Sequence, residues 1–200
     1  MKNKTFFLLV LAPIFVLSVV VACSDNNFTP RPRGYFRIDL PEKSYQRFDS
    51  AFPYSFDYPK YSEIQCSTTE EGKAYWVNIY FPKFNASIHF TYKFIDADID
   101  KILEETYTLA YKHSVKADAI GESVYADTDK KVYGLLYDIQ GNAASPKQFF
   151  LTDSTKHYLR GALYFSVHPN KDSLAPVVKF LNADIVRLIE SLEWKKLPPL

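Results

Sequence analysis

Ser87-Ile88-His89-Phe90-Thr91-Tyr92-Lys93-Phe94 alternates polar and apolar side chains without a break. That period of two is the mark of a strand with one face on a core and the other toward water. Working outward, Tyr75-Trp76-Val77-Asn78-Ile79-Tyr80-Phe81 reads as the preceding strand, with Pro82-Lys83-Phe84-Asn85 as the turn between them. An earlier strand is expected over Glu63 to Thr69, and Glu70-Glu71-Gly72-Lys73 turns out of it. Downstream, strands are expected at about Ile120–Ala126, Lys131–Ile139, Lys147–Thr152 and His157–Val167. Asp127-Thr128-Asp129-Lys130 and Asp153-Ser154-Thr155-Lys156 supply tight turns, because Asp and Ser side chains bond to the backbone just after them. Gly141 to Pro146 is a looser loop.

Two segments carry the helical period instead. Ile99, Ile102, Leu103, Thr106 and Ala110 recur at helical spacing and predict a helix from about Ile99 to His113. Asp98 stands where an N-cap belongs, and Asp96 and Asp100 add negative charge at the positive helix end. The last helix is expected over Leu174–Leu192 with Ser173 as N-cap. Its stripe is Leu174, Val177, Val178, Leu181, Ile185, Leu188 and Leu192, and Glu193-Trp194 ends it. Consecutive strands with short turns imply an antiparallel sheet, and amphipathic helices must cover a face of it. The fold class is therefore α+β, an antiparallel sheet with two main amphipathic helices. The element order resembles the α/β/α sandwich of the PsbP and Mog1 proteins, which speaks to architecture and not to activity.

The N-terminus has a different purpose. Lys2 and Lys4 precede an apolar run from Phe6 to Val21 that Pro13 interrupts. A short basic region, an apolar region and a small residue at the cut describe a secretion signal. Val20-Val21-Ala22-Cys23 resembles a bacterial lipobox, which implies cleavage between Ala22 and Cys23 and diacylglyceryl (palmitate-type) lipid on Cys23. Two or more acyl chains give a firm membrane anchor, at about 0.8 kcal/mol per buried methylene. The expected organisation is a signal peptide over 1–22, a tether over 23–30, an extended arm over 31–61 and one α+β domain over 62–200. The arm holds Pro32, Pro41, Pro53 and Pro59, which block regular hydrogen bonding. It is also rich in Phe and Tyr, too apolar for a solvated coil, so it must dock on its own domain or on a partner.

Composition narrows the function classes. Loss of Lys2 and Lys4 with the signal leaves 22 basic and 23 acidic residues, a net charge of −1. That offers no footprint for nucleic acid. Of the two cysteines, one is assigned to lipid, which leaves Cys66 without a disulfide partner and expected to be a buried thiol. Asp96-Ala97-Asp98-Ile99-Asp100 opens like a calcium loop, but Lys101 stands where Gly belongs and Tyr107 where Glu belongs. His89, His113, His157 and His168 have no zinc-ligand spacing. Gly121-Glu122-Ser123-Val124-Tyr125 lacks the closing Gly of a nucleophile elbow. No catalytic residue, metal or cofactor is assigned.

The run Pro32-Arg33-Gly34-Tyr35-Phe36-Arg37-Ile38-Asp39-Leu40-Pro41-Glu42-Lys43-Ser44-Tyr45, after a lipobox, resembles the gliding motility lipoprotein GldD family of Bacteroidetes. The likeness extends to Phe52–Pro59 and to the final helix ending near Trp194. It implies a cell-envelope lipoprotein needed for gliding and associated with the gliding apparatus and the type IX secretion system. The outer membrane is the favoured anchor site, and no catalytic residue follows from the family. Arg31, Arg33, Tyr35, Phe36 and Arg37 are the candidate partner-binding residues, since arginine and aromatics dominate interfaces. The competing expectation is a lipid-anchored envelope enzyme or small-ligand binder with a sheet-lined pocket. Convergent His and carboxylate groups in a cleft would favour that alternative.

Overall fold

The computed structural model describes residues 37–67, 75–96 and 98–196. The signal, Ala22, Cys23 and arm residues 31–36 lie outside the described residues. Among the described residues ten strands and two α-helices follow one another as β1 (Tyr45–Phe48), β2 (Tyr54–Pro59), β3 (Glu63–Ser67), β4 (Trp76–Phe81), β5 (Ala86–Phe94), α1 (Ile99–Tyr111), β6 (Ala117–Asp127), β7 (Val132–Gly141), β8 (Lys147–Thr152), β9 (His157–Phe165), α2 (Lys171–Ser191) and β10 (Glu193–Trp194). Seven strands form one antiparallel sheet in the order β3-β4-β5-β9-β8-β7-β6, and three form a second, β1-β2-β10.

Alternation along each central strand divides the large sheet into two apolar faces. On the first, Ile79, Ile88, Phe90, Phe149 and Leu163 pack with Val177, Leu181, Ile185 and Leu188 of α2 and with the small sheet. An aromatic edge joins the two sheets, the Phe56 ring meeting Phe90 at 5.4 Å, and within the large sheet Phe90 meets Phe149 at 5.7 Å, both edge to face. On the second face Tyr137, Ile139, Phe150 and Tyr158 pack with Ala110, Ile102 and Leu103 of α1. Helices thus cover both faces of an antiparallel sheet, the α+β arrangement that the patterning requires.

Several boundaries differ from the sequence reading. The domain does not begin near Ser62, because residues 45–59, assigned to the arm, are two of its strands. Tyr54 and Phe56 are fully buried in the main core. Pro53 and Pro59 stand just before and at the end of β2 and so remove little from the ladder. Glu193 and Trp194 do more than end the last helix: they pair with Ser55 and Tyr54. The cap of α2 is Asn170, whose side chain accepts from the Ser173 amide, so the helix starts three residues before Leu174. Cys66 lies on the edge strand β3 and is exposed, where a buried thiol was expected. Asp98 does cap α1, accepting from the amides of Asp100 and Lys101. Among the described residues no helix is long and apolar enough to cross a membrane.

Candidate functional site

The point where the arm joins the folded body is a buried polar cluster centred on Asp184 of α2. Its neighbours at helical spacing, Leu181, Ile185 and Leu188, are all core residues, so the carboxylate is carried inward with them and is 1% exposed. A charge there requires partners, since an unpaired buried carboxylate costs several kcal/mol. The arm supplies all of them. Lys43 Nζ donates to Asp184 Oδ2 at 2.6 Å, Tyr45 OH donates to Oδ1 at 3.0 Å, and Tyr61 OH donates to Oδ2. Lys43 Nζ also donates to the Phe180 carbonyl at 2.9 Å and sits 3.3 Å from the centroid of the Phe180 ring. Every ammonium proton is thereby placed on an acceptor or an aromatic face.

Burial decides the protonation of this cluster. It pulls the Lys43 ammonium below its ordinary value, while Asp184 opposes that shift through a hydrogen bond and charge. It pushes the Tyr45 phenol up to about 12, with the Asp184 charge adding to the effect. Tyr61 is raised further, again by burial first and then by Asp184. Both phenols therefore stay protonated and keep donating to the carboxylate.

A second group of contacts fastens the hairpin to the end of α2. Arg47 donates to the Ser191 carbonyl at 2.8 Å and to Ser55 Oγ at 2.9 Å, and pairs with Asp57 at 3.2 Å and Glu193 at 2.9 Å. Asp57 also receives Arg187 at 2.6 Å. The arm is thus clamped from Lys43 onward by side chains of the last helix.

Before Lys43 the contacts thin out: Ile38 still packs against the main core, while Arg37, Asp39 and Leu40 are exposed. Arg37 is the one described residue among the five candidate partner-binding residues; its side chain is 91% exposed and, among the described residues, bonds only to Asp39, at 3.0 Å. Arg31, Arg33, Tyr35 and Phe36 lie outside the described residues, as do Ala22 and Cys23. The Asp184 cluster was not found from the sequence, although a signal was present. Asp184 falls three residues after Leu181 and four before Leu188, a charge inside an apolar stripe.

The other polar candidates resolve into structural positions. His157 is buried, its Nδ1 is 2.7 Å from Tyr92 OH, and its ring stacks on Trp194 at 5.1 Å. His89 Nδ1 lies 2.8 Å from Asn78 Oδ1 on the other face of the sheet. Gly121, Glu122 and Ser123 lie within β6. Among the described residues no three His, Cys, Asp or Glu side chains converge as metal ligands would.

The family model for gliding motility lipoprotein GldD matches residues 25–194. No curated protein matches the chain significantly. Among solved structures, the solution structure of cyanobacterial PsbP (CyanoP) from Synechocystis sp. PCC 6803 is similar with a TM-score of 0.46 and 11% identity, over 80% of this chain and 98% of that one.

Proposed function

The chain belongs to the GldD family of gliding motility lipoproteins, and on that premise we propose that it is a non-catalytic component or assembly factor of the gliding and type IX secretion machinery. Lipid on Cys23 holds it in the cell envelope, in the outer membrane, and residues 31–37 engage a protein of that machinery.

The observation that carries this reading is the change of character at Lys43. From Lys43 onward the arm's polar and aromatic groups are spent on the domain itself. The candidate interface residue that is described, Arg37, is spent, among the described residues, on nothing but an exposed carboxylate, a pair worth little. A solvent-facing guanidinium at the end of a basic, aromatic stretch suits a protein contact. The chain from Cys23 to Lys43, twenty residue-to-residue steps, spans at most about 70 Å when extended. That reach lets a lipid-held domain find a partner well clear of the bilayer.

Two variants test the reading in cells. Cys23→Ala should release the protein from membranes washed in high salt. Arg33→Glu with Arg37→Glu should keep membrane retention and melting temperature but lose gliding and cross-linked recovery of secretion-machinery proteins. Normal gliding and unchanged recovery in the double variant would refute the interface.

A further inference from the structure

The large sheet ends in two edges, and they are unlike. β3 is 5 residues long, whereas β6 runs for 11, from Ala117 to Asp127. An edge strand leaves about half of its backbone N–H and C=O groups without a ladder partner. Among the described residues β6 pairs with β7 and with no strand on its outer side. Proteins usually blunt such an edge with proline, lysine, a bulge or shortness. β6 contains neither proline nor lysine. Its register with β7 shifts between Ala117 and Ala119 and is unbroken from there to Asp127. None of its residues is buried, while every residue of β8 is.

Three kinds of side chain stand together along this edge. Ile120, Glu122 and Val124 lie on the α1 side of the sheet, since their cross-strand partners Ile139, Tyr137 and Leu135 pack with that helix. Val124 is nevertheless 80% exposed, because the helix does not reach it. Glu122 Oε1 accepts from Tyr111 OH of α1 at 2.9 Å. That bond pushes the Tyr111 phenol up to about 12, so it stays a donor. The ring of Tyr107, which is exposed, stacks on Tyr111 at 4.2 Å. The charged residues of β6 are Asp118, Glu122 and Asp127, all of them acidic. Asp118 is paired with Lys171 at 2.5 Å and Asp127 with Lys130 at 3.8 Å. Glu122, among the described residues, has no cation within ion-pair distance.

We propose that the outer edge of β6 is a docking site for an extended, arginine-bearing segment of a partner protein, which adds to the large sheet as a further strand. The main chain supplies the bonds, because a strand laid there pairs the outward N–H and C=O groups. Side chains select the occupant. A guanidinium opposite Glu122 balances its charge, donates to the oxygen that Tyr111 leaves open, and lies on the exposed ring of Tyr107. A planar fork serves the carboxylate and the ring together, which the compact ammonium of lysine does less well. A β-branched side chain of the same segment covers Val124 as a cross-strand neighbour. A second copy of this chain fits poorly, since β6 against β6 sets one acidic strand beside another. The site uses no residue of the arm, so it stands apart from the contact proposed for residues 31–37.

The test is hydrogen exchange, read by mass spectrometry on the full chain in a nonionic detergent. The probe is a capped octapeptide of alternating Arg and Val. One control peptide has Glu in place of Arg. Another carries a methyl group on every amide nitrogen, which keeps the charge and removes the ladder donors. In the free chain part of segment 117–127 should exchange fast. The Arg peptide should slow that exchange saturably, and neither control should. Glu122→Arg should weaken the Arg peptide by about tenfold and admit the Glu peptide in its place. Val124→Lys, at an exposed position, should abolish the response by placing a charge on the edge. Should either variant melt early, the two control peptides on the parent chain decide. Slow exchange throughout 117–127 in the free chain overturns the proposal. So does equal slowing by a control peptide, no slowing by the Arg peptide, or a chain that dimerises through β6 instead.

Discussion

Removing Lys43 from the Asp184 cluster should destabilise the domain far more than its position in a proline-rich arm suggests. Lys43→Met keeps the apolar stem and deletes the ammonium. Asp184, 1% exposed, would be left with the hydroxyls of Tyr45 and Tyr61 and no counter-charge. Breaking a buried ion pair costs about 3–5 kcal/mol. The Lys43 side chain retains 28% of its exposure, so water already screens the pair in part, and the low end of that range, about 3 kcal/mol, is the better figure. The contact between the ammonium and the Phe180 ring, 3.3 Å from its centroid, adds roughly 0.5–1 kcal/mol. Against a typical stability of about 5–15 kcal/mol this is a large loss. The companion double variant Lys43→Met with Asp184→Leu removes both charges. It strands two phenolic hydroxyls at about 1 kcal/mol each but leaves no orphaned carboxylate. It should therefore be more stable than Lys43→Met alone. Urea unfolding of the full chain measures both. A single variant within about 0.5 kcal/mol of the parent, or a double variant less stable than the single, would refute the view of Asp184 as a buried anion that the arm must satisfy.

Three further outcomes are expected. Leu181→Asp should abolish cooperative melting while Lys179→Asp leaves it intact, because Leu181 is fully buried and Lys179 is exposed; equal melting temperatures would contradict the helix face. Gly134→Ala should be severely destabilising and Gly121→Ala mild, since an added Cβ would meet the Phe150 carbonyl oxygen at 1.9 Å in the first case and nothing closer than 3.8 Å in the second; similar urea midpoints for the two would disprove this. Burial holds the His157 imidazole below its ordinary value of 6.5, so the unfolded chain takes up a proton first and stability, constant above that value, should fall as the pH drops through it. Calorimetry across the range should show this fall, and His157→Gln should flatten it; an unchanged slope would remove His157 from the account.

Local patterning made most of the large sheet legible. The strand expected at Lys147–Thr152 is β8 to the residue, and Ala86–Phe94 contains the full alternation from Ser87 to Phe94. What escaped is whatever depends on distant partners. Tyr54 and Phe56 are flanked by prolines, so their segment looks like an arm. Their place in the core is settled partly by Trp194 and Glu193, some 140 residues away along the chain. The cap of α2 was ambiguous for a local reason. Asn170 and Ser173 are both capping types, and the later one puts Pro176 at the third helical position, where it costs little. The true start places Pro176 sixth, a cost the packed apolar stripe offsets. Burial of a small apolar group such as the Cys66 thiol depends on whether its strand is central, and β3 is an edge, which local sequence does not encode.

The Asp184 cluster also narrows where a partner can bind. A segment rich in aromatic and basic groups has two fates, docking on its own chain or on another, and the same side chain cannot serve both at once. Tyr45, a residue of the arm, illustrates the first fate: its hydroxyl is bonded to Asp184 and its ring lies 5.7 Å from the Arg187 guanidinium. A substitution there would lower stability and motility together, and so would say little about recognition. Arg37 differs, because among the described residues its only bond is to an exposed carboxylate two residues away. Leu40, also exposed, adds an apolar side chain to the same stretch. Within the described part of the arm, the side chains of Arg37 and Leu40, on the N-terminal side of Lys43, are exposed. There, a change of charge can be read as an effect on binding without an accompanying effect on the fold.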